Sequence, residues 1–343
     1  MNVHIRNSIE RPDIIRAATM LLAAQGAEAL PIDPGSGALK PGVIHLSNAS
    51  RFVETYFDEP LTIYARGWRD PNDIAQTLEF FAPRTSTPRR FTYRTATNAE
   101  EFYSETDDIR GIGAAFKRVE YTGDEVDAKT LNKGLMLVVD MDEATAGWEQ
   151  RSVDKLMRRL LRNDLRRAIT LLSAAATNTA KTWDTTAGKD PDQDVLSDLV
   201  TATTAGGIRP NRIGYGDTAW SKRVLAHRAQ DTAGGYASAG QSPEQVAAFL
   251  AVDQVKISRE RYQSTAAAKA EVVNNLVLMF SAMAGSDIED PSNVKRFVST
   301  TAQGGDFGVY MWDIGPKLRG VAVEHYSNIA ITSTLGIRKF TIS

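Results

Sequence analysis

Several groupings of residues in this chain have the types that chemistry requires, and their spacing decides what they can do. Gly111-Ile112-Gly113-Ala114-Ala115-Phe116 opens like a dinucleotide-binding loop. It lacks the third small residue and lies in an acidic stretch, so a flexible turn is the simpler account. Asp190-Pro191-Asp192-Gln193-Asp194 copies the start of a calcium loop, but Val195 stands where glycine is required and Thr201 where glutamate is required. Capping of the following helix by Asp192 or Asp194 explains these acids better. His4, His45, His227 and His325 include no pair at metal-ligand spacing and read as surface or packing residues. Asp140, Asp142 and Glu143 could supply paired carboxylates, yet they sit between a strand and a helix start, where they complement the helix dipole. There is no Walker sequence and no Gly-x-Ser-x-Gly elbow. The expectation is a protein that is not an enzyme, with no catalytic, cofactor-binding or metal residues and no cofactor.

The remaining unusual chemistry is charge segregation. Residues 84–94 contain Arg84, Arg89, Arg90 and Arg94 and no acid. Residues 98–127 contain nine acids, among them Glu100, Glu101, Asp107, Asp108, Glu125 and Asp127, against three bases. The flanks 90–94 and 116–121 alternate like strands, with Gly111 and Gly113 between them. This predicts a long two-stranded ribbon with a basic and an acidic limb. An isolated hairpin is marginal in water, so the ribbon should rest on something else, with a neighbouring subunit the first candidate and a solvated charged loop the alternative.

The element that must position all of this is a helix over 148–181, free of Gly and Pro. Val153, Leu156, Leu160, Leu165, Ile169 and Leu172 recur at helical spacing and form its core-facing stripe. Arg151, Lys155, Arg158, Arg159, Arg162, Arg166 and Arg167 occupy mainly the rest of its circumference. Such a basic face could touch nucleic acid or acidic segments of the same or neighbouring chains. A rod about 50 Å long needs a partner along most of its length.

Around this helix, 1–75 reads as an extended arm with one helix at 12–25, and a short helix is predicted at 72–81. Residues 131–141 form a strand feeding the long helix. Helices at 195–205, from 217 to 228 and from 242 to about 251 alternate with strands at 212–216, 255–261, 272–283, 297–300 and 308–312, giving a second lobe over 190–315. Residues 318–342 are strand-rich and should return along the long helix.

The chain has 343 residues, 42% hydrophobic, 24% charged and formally −2 at pH 7. This is ordinary globular composition with length for two lobes. Near-neutral charge argues against a dedicated nucleic-acid binder. With no cysteine, disulfides, thiolate metal sites and cysteine nucleophiles are excluded. No apolar run approaches a membrane span of about 20 residues. The run 17–24 resembles a signal core, but acidic and basic flanks argue against it and for a cytoplasmic setting.

From residue 150 onward the text resembles the major capsid proteins of tailed bacteriophages, the HK97-like superfamily and especially its lambda-type branch. The carriers are LRRAITLLSAAATNTAKTWD, then DPDQDVLSDLVTATTAGGIRPNRIGYGDTAWSKRVLAHRAQ, then SPEQVAAFLAVDQVKISRERYQSTAAAKAEVVNNLVLMFSAMAG, in that order. The resemblance implies an α+β fold: an N-terminal arm over 1–75, an extended ribbon (the E-loop) with peripheral-domain strands over 76–147, a spine helix of the peripheral domain over 148–185, an axial domain over 186–315, and C-terminal strands returning to the peripheral domain over 316–343.

Its implied role is a major capsid protein self-assembling into an icosahedral head around double-stranded DNA, located in the virion and assembled in the host cytoplasm. The implied partners are copies of itself in pentamers and hexamers, a separate scaffolding protein, a decoration protein, a portal and non-specifically held DNA, with no membrane. The inter-subunit contacts are expected at Arg84, Arg89, Arg90, Arg94, Glu100, Glu101, Asp107, Asp108, Glu125 and Asp127. Lys117, Lys129 and Lys133 have no identifiable crosslinking partners, so covalent crosslinking is not carried over. An encapsulin-like nanocompartment shell is the alternative, and a cytoplasmic α/β enzyme a more distant one.

Overall fold

A computed structural model describes residues 56–70, 73–95, 109–113, 115–116, 124–283, 285, 292–302 and 304–343. The chain divides into Met1–Phe57 and Asp58–Ser343. The helix expected at 12–25 lies outside the described residues.

Helix α1 (Glu59–Arg66) starts where the Asp58 carboxylate accepts from the Leu61 amide at 2.8 Å, with Pro60 in the first turn. Helix α2 (Ile74–Phe81) follows. Both contribute to one core, α1 through Leu61 and Ala65 and α2 through Ile74, Leu78 and Phe81, shared with the long helix that follows. An arm ending at 75 is therefore corrected: capped and apolar, the stretch from Asp58 onward belongs to the compact unit.

Helix α3 (Trp148–Ala175) has 28 residues and buries Val153, Leu156, Leu160, Leu165, Ile169 and Leu172, with Met157 and Leu161 beside them. It stops six residues short of the predicted end. At Ala176 the backbone becomes extended, and the Thr177 amide bonds to the Ile337 carbonyl at 3.2 Å. Residues 177–181 carry two β-branched threonines and gain a sheet edge in place of helical bonds.

The stripe of α3 lies under a five-stranded sheet of β1 (Arg84–Ser86), β4 (Leu131–Asp140), β11 (Val294–Ser299), β12 (Phe307–Asp313) and β13 (Leu318–Ile331). Central β13 pairs antiparallel with β4 along one edge, and with β12 then β11 along the other; β1 joins β11 in parallel. Val321, Val323 and Ile329 point from β13 into the core beneath.

A second sheet runs β5 (Thr177–Lys181), β14 (Arg338–Ile342), β10 (Leu276–Phe280), β6 (Arg212–Gly216), β7 (Gln254–Ser258). With it stand α4 (Pro191–Gly206), α5 (Asp217–Arg228), α6 (Ala233–Ala239) and α7 (Pro243–Leu250). Its core includes Trp183, Leu199, Tyr215, Val246, Leu250, Met279 and Phe340. The sheets cut across the lobe boundary predicted at 315. Strands β11 and β12 belong with α3, because the 14-residue β13 needs partners along its whole length, and β14 crosses to the second sheet. A small hairpin, β8 (Arg261–Gln263) with β9 (Lys269–Glu271), lies between β7 and β10 in sequence.

Two buried charge clusters fix these layers. In the second, Asp190 caps α4 by accepting from the Asp192 and Gln193 amides, each at 3.1 Å. This corrects the expected caps. Asp194 instead accepts from Lys181 Nζ and Trp183 Nε1, and Asp192 is buried against Arg223 at 2.6 and 2.7 Å with His227 at 3.2 Å. Arg223 has no exposed surface, so its guanidinium depends on that carboxylate.

Beneath the first sheet, Asp164 of α3, also fully buried, receives Lys133 Nζ at 2.8 Å and Arg167 Nη1 at 2.7 Å on one oxygen, and His325 Nε2 at 2.9 Å and Ser327 Oγ at 3.0 Å on the other. Burial pushes the Asp164 carboxyl up, but the hydrogen bonds and charges of His325 and Lys133 outweigh it and hold it well below the usual carboxylate range. Burial lowers the Lys133 ammonium, an effect Asp164 opposes.

Asp192→Ala should cost about 3–5 kcal/mol by stranding Arg223, against about 1 kcal/mol for Asp190→Ala at the cap; urea unfolding of both variants checks the ranking. Because the Asp164 carboxyl titrates lower folded than unfolded, its contribution is present above the unfolded value of about 3.9 and lost as pH falls through the folded one. Asp164→Asn should therefore destabilise the protein by about 3–5 kcal/mol at pH 7. It should also flatten the fall in stability below about pH 4, as read by denaturant midpoints from pH 7 to 2.

Candidate functional site

The ribbon is formed by β2 (Arg90–Thr95) and β3 (Asp124–Lys129), antiparallel, with Arg90 opposite Lys129, Thr92 opposite Asp127 and Arg94 opposite Glu125. Period-two alternation gives it two unlike faces. Phe91 and Tyr93 turn inward onto Phe297 of β11, with ring centroids 4.5 and 5.3 Å away. Burial there pushes the Tyr93 phenol up. The foot of the ribbon thus rests on its own chain, through an aromatic cluster that the charge pattern does not reveal. Its other face exposes Arg90, Thr92 and Arg94 to solvent. Since Arg94 faces Glu125, the two limbs partly compensate each other at this level.

The other predicted contact residues are dispersed. Arg84 is in β1, outside the ribbon, and pairs with Asp306 at 2.6 Å. Arg89 stacks over the Tyr326 ring at 4.0 Å, while its carbonyl accepts from the Thr130 amide. Beside it on the outer face of the sheet, Asn132 donates to Tyr326 Oη at 3.2 Å and Tyr310 donates to Glu324 at 2.5 Å. Burial and the Glu324 carboxylate push the Tyr310 phenol up. Glu100, Glu101, Asp107 and Asp108 lie outside the described residues.

What the charge reading missed is apolar. Strand β4 carries Leu135-Met136-Leu137-Val138-Val139, a run that in a strand signals cover on both faces. Leu135 and Leu137 pack toward α3. Met136 and Val138 face away and are 50% and 41% exposed, and Ile314 and Leu318 nearby are also open. Among the described residues β4 has a strand partner on one edge only, β13. In the ribbon sequence Ile109, Ile112 and Phe116 are exposed as well, with Arg110 over the Phe116 ring at 3.9 Å.

The groupings with catalytic types do not assemble. Gly113 sits in a turn at φ +79°, with no helix beginning after it among the described residues. Asp142 pairs with Lys317, and its amide bonds to Asp140 at 3.0 Å. His227 and His325 are both buried in the charge clusters described above, while His4 and His45 lie outside the described residues. Among the described residues no cluster of three or more His, Asp or Glu is placed to hold a metal ion, and no helix is long and apolar enough to cross a membrane.

No protein-family model and no curated protein matches the chain. Solved structures do. A phage-related protein of Bordetella bronchiseptica RB50 superposes with a TM-score of 0.60 at 17% identity, covering 83% of this chain and 96% of its own. A chain of Gordonia phage Cozz gives 0.50 at 12% identity, covering 89% and 96%. The capsid structure of cyanophage P-SCSP1u gives 0.49 at 10% identity, covering 76% and 85%. The architecture common to the first two is the one assembled above, a mixed helix-and-strand fold built on one long helix. The chain shares its fold with these two structures.

Proposed function

We propose that this chain is a major capsid protein of a tailed bacteriophage, whose copies close into an icosahedral shell around double-stranded DNA. The observation that carries the reading is the outward face of β4. Met136 and Val138 belong to a run whose composition calls for cover on both sides, and the described part of the chain covers one. A second copy supplies that cover, in contacts of roughly 1,600 Å² each. In this reading the α3 sheet is the peripheral domain and the β5–β14–β10–β6–β7 sheet with its helices is the axial domain, the latter meeting around five- and six-fold centres. The ribbon reaches to a neighbour and uses Arg89, Arg90 and Arg94 with the acids of 98–127 to select it. The function is structural, with no catalytic step. A separate scaffolding protein guides assembly, which takes place in the host cytoplasm; a portal and a decoration protein are the further partners.

The test is particle formation by the purified chain, with and without co-expressed scaffold, read by sedimentation and negative-stain microscopy. Closed particles holding DNA are expected; particles that form around a protein cargo and exclude DNA would indicate a nanocompartment, and a small discrete oligomer would overturn the shell altogether. Met136→Asp with Val138→Asp should abolish particles while circular dichroism and the unfolding midpoint stay near wild type, because both side chains are already solvated in the free subunit. Charge reversal of Arg89, Arg90 and Arg94 to Glu should likewise derail assembly and leave the subunit folded. Correctly sized particles from that variant would show that the ribbon does not choose its partner by charge.

A further inference from the structure

The solvent-facing line of α3 is basic over most of its length. Arg151, Lys155, Arg159, Arg162 and Arg166 follow at steps of four, four, three and four residues, which puts them on one stripe of the helix. Four of them are exposed and Arg162 is half-buried. The stripe is about 22 Å long. No acid of the helix itself lies on it: Asp154 accepts from Tyr64 Oη at 2.9 Å, Asp164 is inside the core, and Glu149 precedes it in the first turn.

The cations are held in place but not neutralised as a set. Arg162 Nε meets Glu260 at 3.2 Å, and the Arg166 guanidinium lies 3.7 Å over the Tyr262 ring, which orients it without cancelling its charge. Arg151 bonds to the Thr145 backbone carbonyl at 3.1 Å. Lys155 and Arg159 have no carboxylate partner among the described residues.

The neighbourhood of the stripe selects the partner. No large apolar side chain of α3 is exposed. From Arg151 to Arg162 a protein segment would find no exposed apolar anchor on the helix, the open Leu131 lying only beside the Arg166 end, and such anchors supply most of the affinity of peptide and protein contacts. A convex ridge of regularly spaced cations suits a polyanion instead, because phosphate contacts need positive charge and position and nothing more. We propose that this stripe binds the sugar-phosphate backbone of double-stranded nucleic acid, without reading sequence. The proposal rests on the shell reading only for which nucleic acid it meets, the enclosed genome; the binding itself is a property of the subunit.

The experiment uses the unassembled full chain and a fluorescent 30-base-pair duplex, with anisotropy read from 50 to 200 mM salt. Each phosphate contact contributes about 0.9 to the slope of log K against log salt. Lys155→Gln, Arg159→Gln and Arg166→Gln together should lower that slope by about 2.7, a roughly 40-fold smaller loss of affinity across the range. The charge-conserving set Lys155→Arg, Arg159→Lys and Arg166→Lys should keep the wild-type slope, separating charge from folding. An unchanged slope in the glutamine variant, or no duplex binding by wild type at 50 mM salt, overturns the proposal. So does tighter binding of an acidic peptide carrying residues 98–113, which would assign the stripe to a protein. Sedimentation of the glutamine variant reads the shell separately: particles that form normally while the slope falls support both readings, and absence of wild-type particles with the slope effect intact overturns the shell alone.

Discussion

Asp164 holds a full charge with no surface exposed to solvent, and the middle of the molecule is arranged around it. Its two oxygens take partners from three elements: Arg167 on its own helix, Lys133 on β4, and His325 and Ser327 on β13. A buried charge is tolerated only when its partners are well placed. Lys133 and His325 are direct cross-strand neighbours, so the carboxylate reads the register of β4 on β13. A slip of one residue would turn Lys133 to the outer face and move Met136 and Val138 inward. Apolar burial between α3 and the sheet supplies the gross stability, and it is indifferent to such a slip; the charge is not.

That register also sets where the ribbon leaves the body. Strand β3 passes into β4 through Thr130, whose hydroxyl hydrogen-bonds Ser299 of β11 at 2.7 Å. Phe91 and Tyr93 sit on Phe297 of the same strand. The start of the ribbon is therefore anchored by hydrogen bonds and an aromatic cluster, and its direction is a consequence of the sheet. In the proposed shell this would matter: a foot fixed before any neighbour is present lowers the conformational entropy lost on contact.

Apolar patterning made α3, β4 and β6 legible, whereas α5 and α7 were legible from their start signals, Asp217 in the first turn of one and Ser242-Pro243 opening the other. The six stripe residues of α3 are all in its core. What sequence could not carry was partnership. Nothing in 294–313 says that β11 and β12 belong to the sheet over α3 and not to the second one; that follows from the length of β13. The end of α3 was hidden because Thr177-Asn178-Thr179 is acceptable in a helix and is claimed by β14 only in three dimensions. Asp190, Asp192 and Asp194 look interchangeable in sequence, yet one caps, one neutralises Arg223 and one holds Lys181. Helix α6 has glycines at 234 and 235, poor helix formers. It forms because Thr232 caps it and because Gly235 lies against the His227 carbonyl, where a Cβ would come to 2.5 Å.

The charged ribbon shows most clearly where sequence and structure divide the work. Read along the chain, its limbs look like opposite poles meant for different neighbours. Folded, Arg94 faces Glu125 and Thr92 faces Asp127, and the uncompensated acid is concentrated in the intervening sequence, 98–123. Exposed ion pairs are worth about 0–1 kcal/mol each and are screened by salt, whereas covering the half-open Met136 and Val138 is worth about 1 kcal/mol each and adds along the strand. In the proposed shell, strength between copies would therefore come from the apolar face of β4 and the open Ile109, Ile112 and Phe116. Charge decides which surfaces approach and in what register. The composition kept these roles on separate residues, and because charge is the louder signal in a sequence, the quieter apolar run in β4 is the better guide to where the subunit is incomplete.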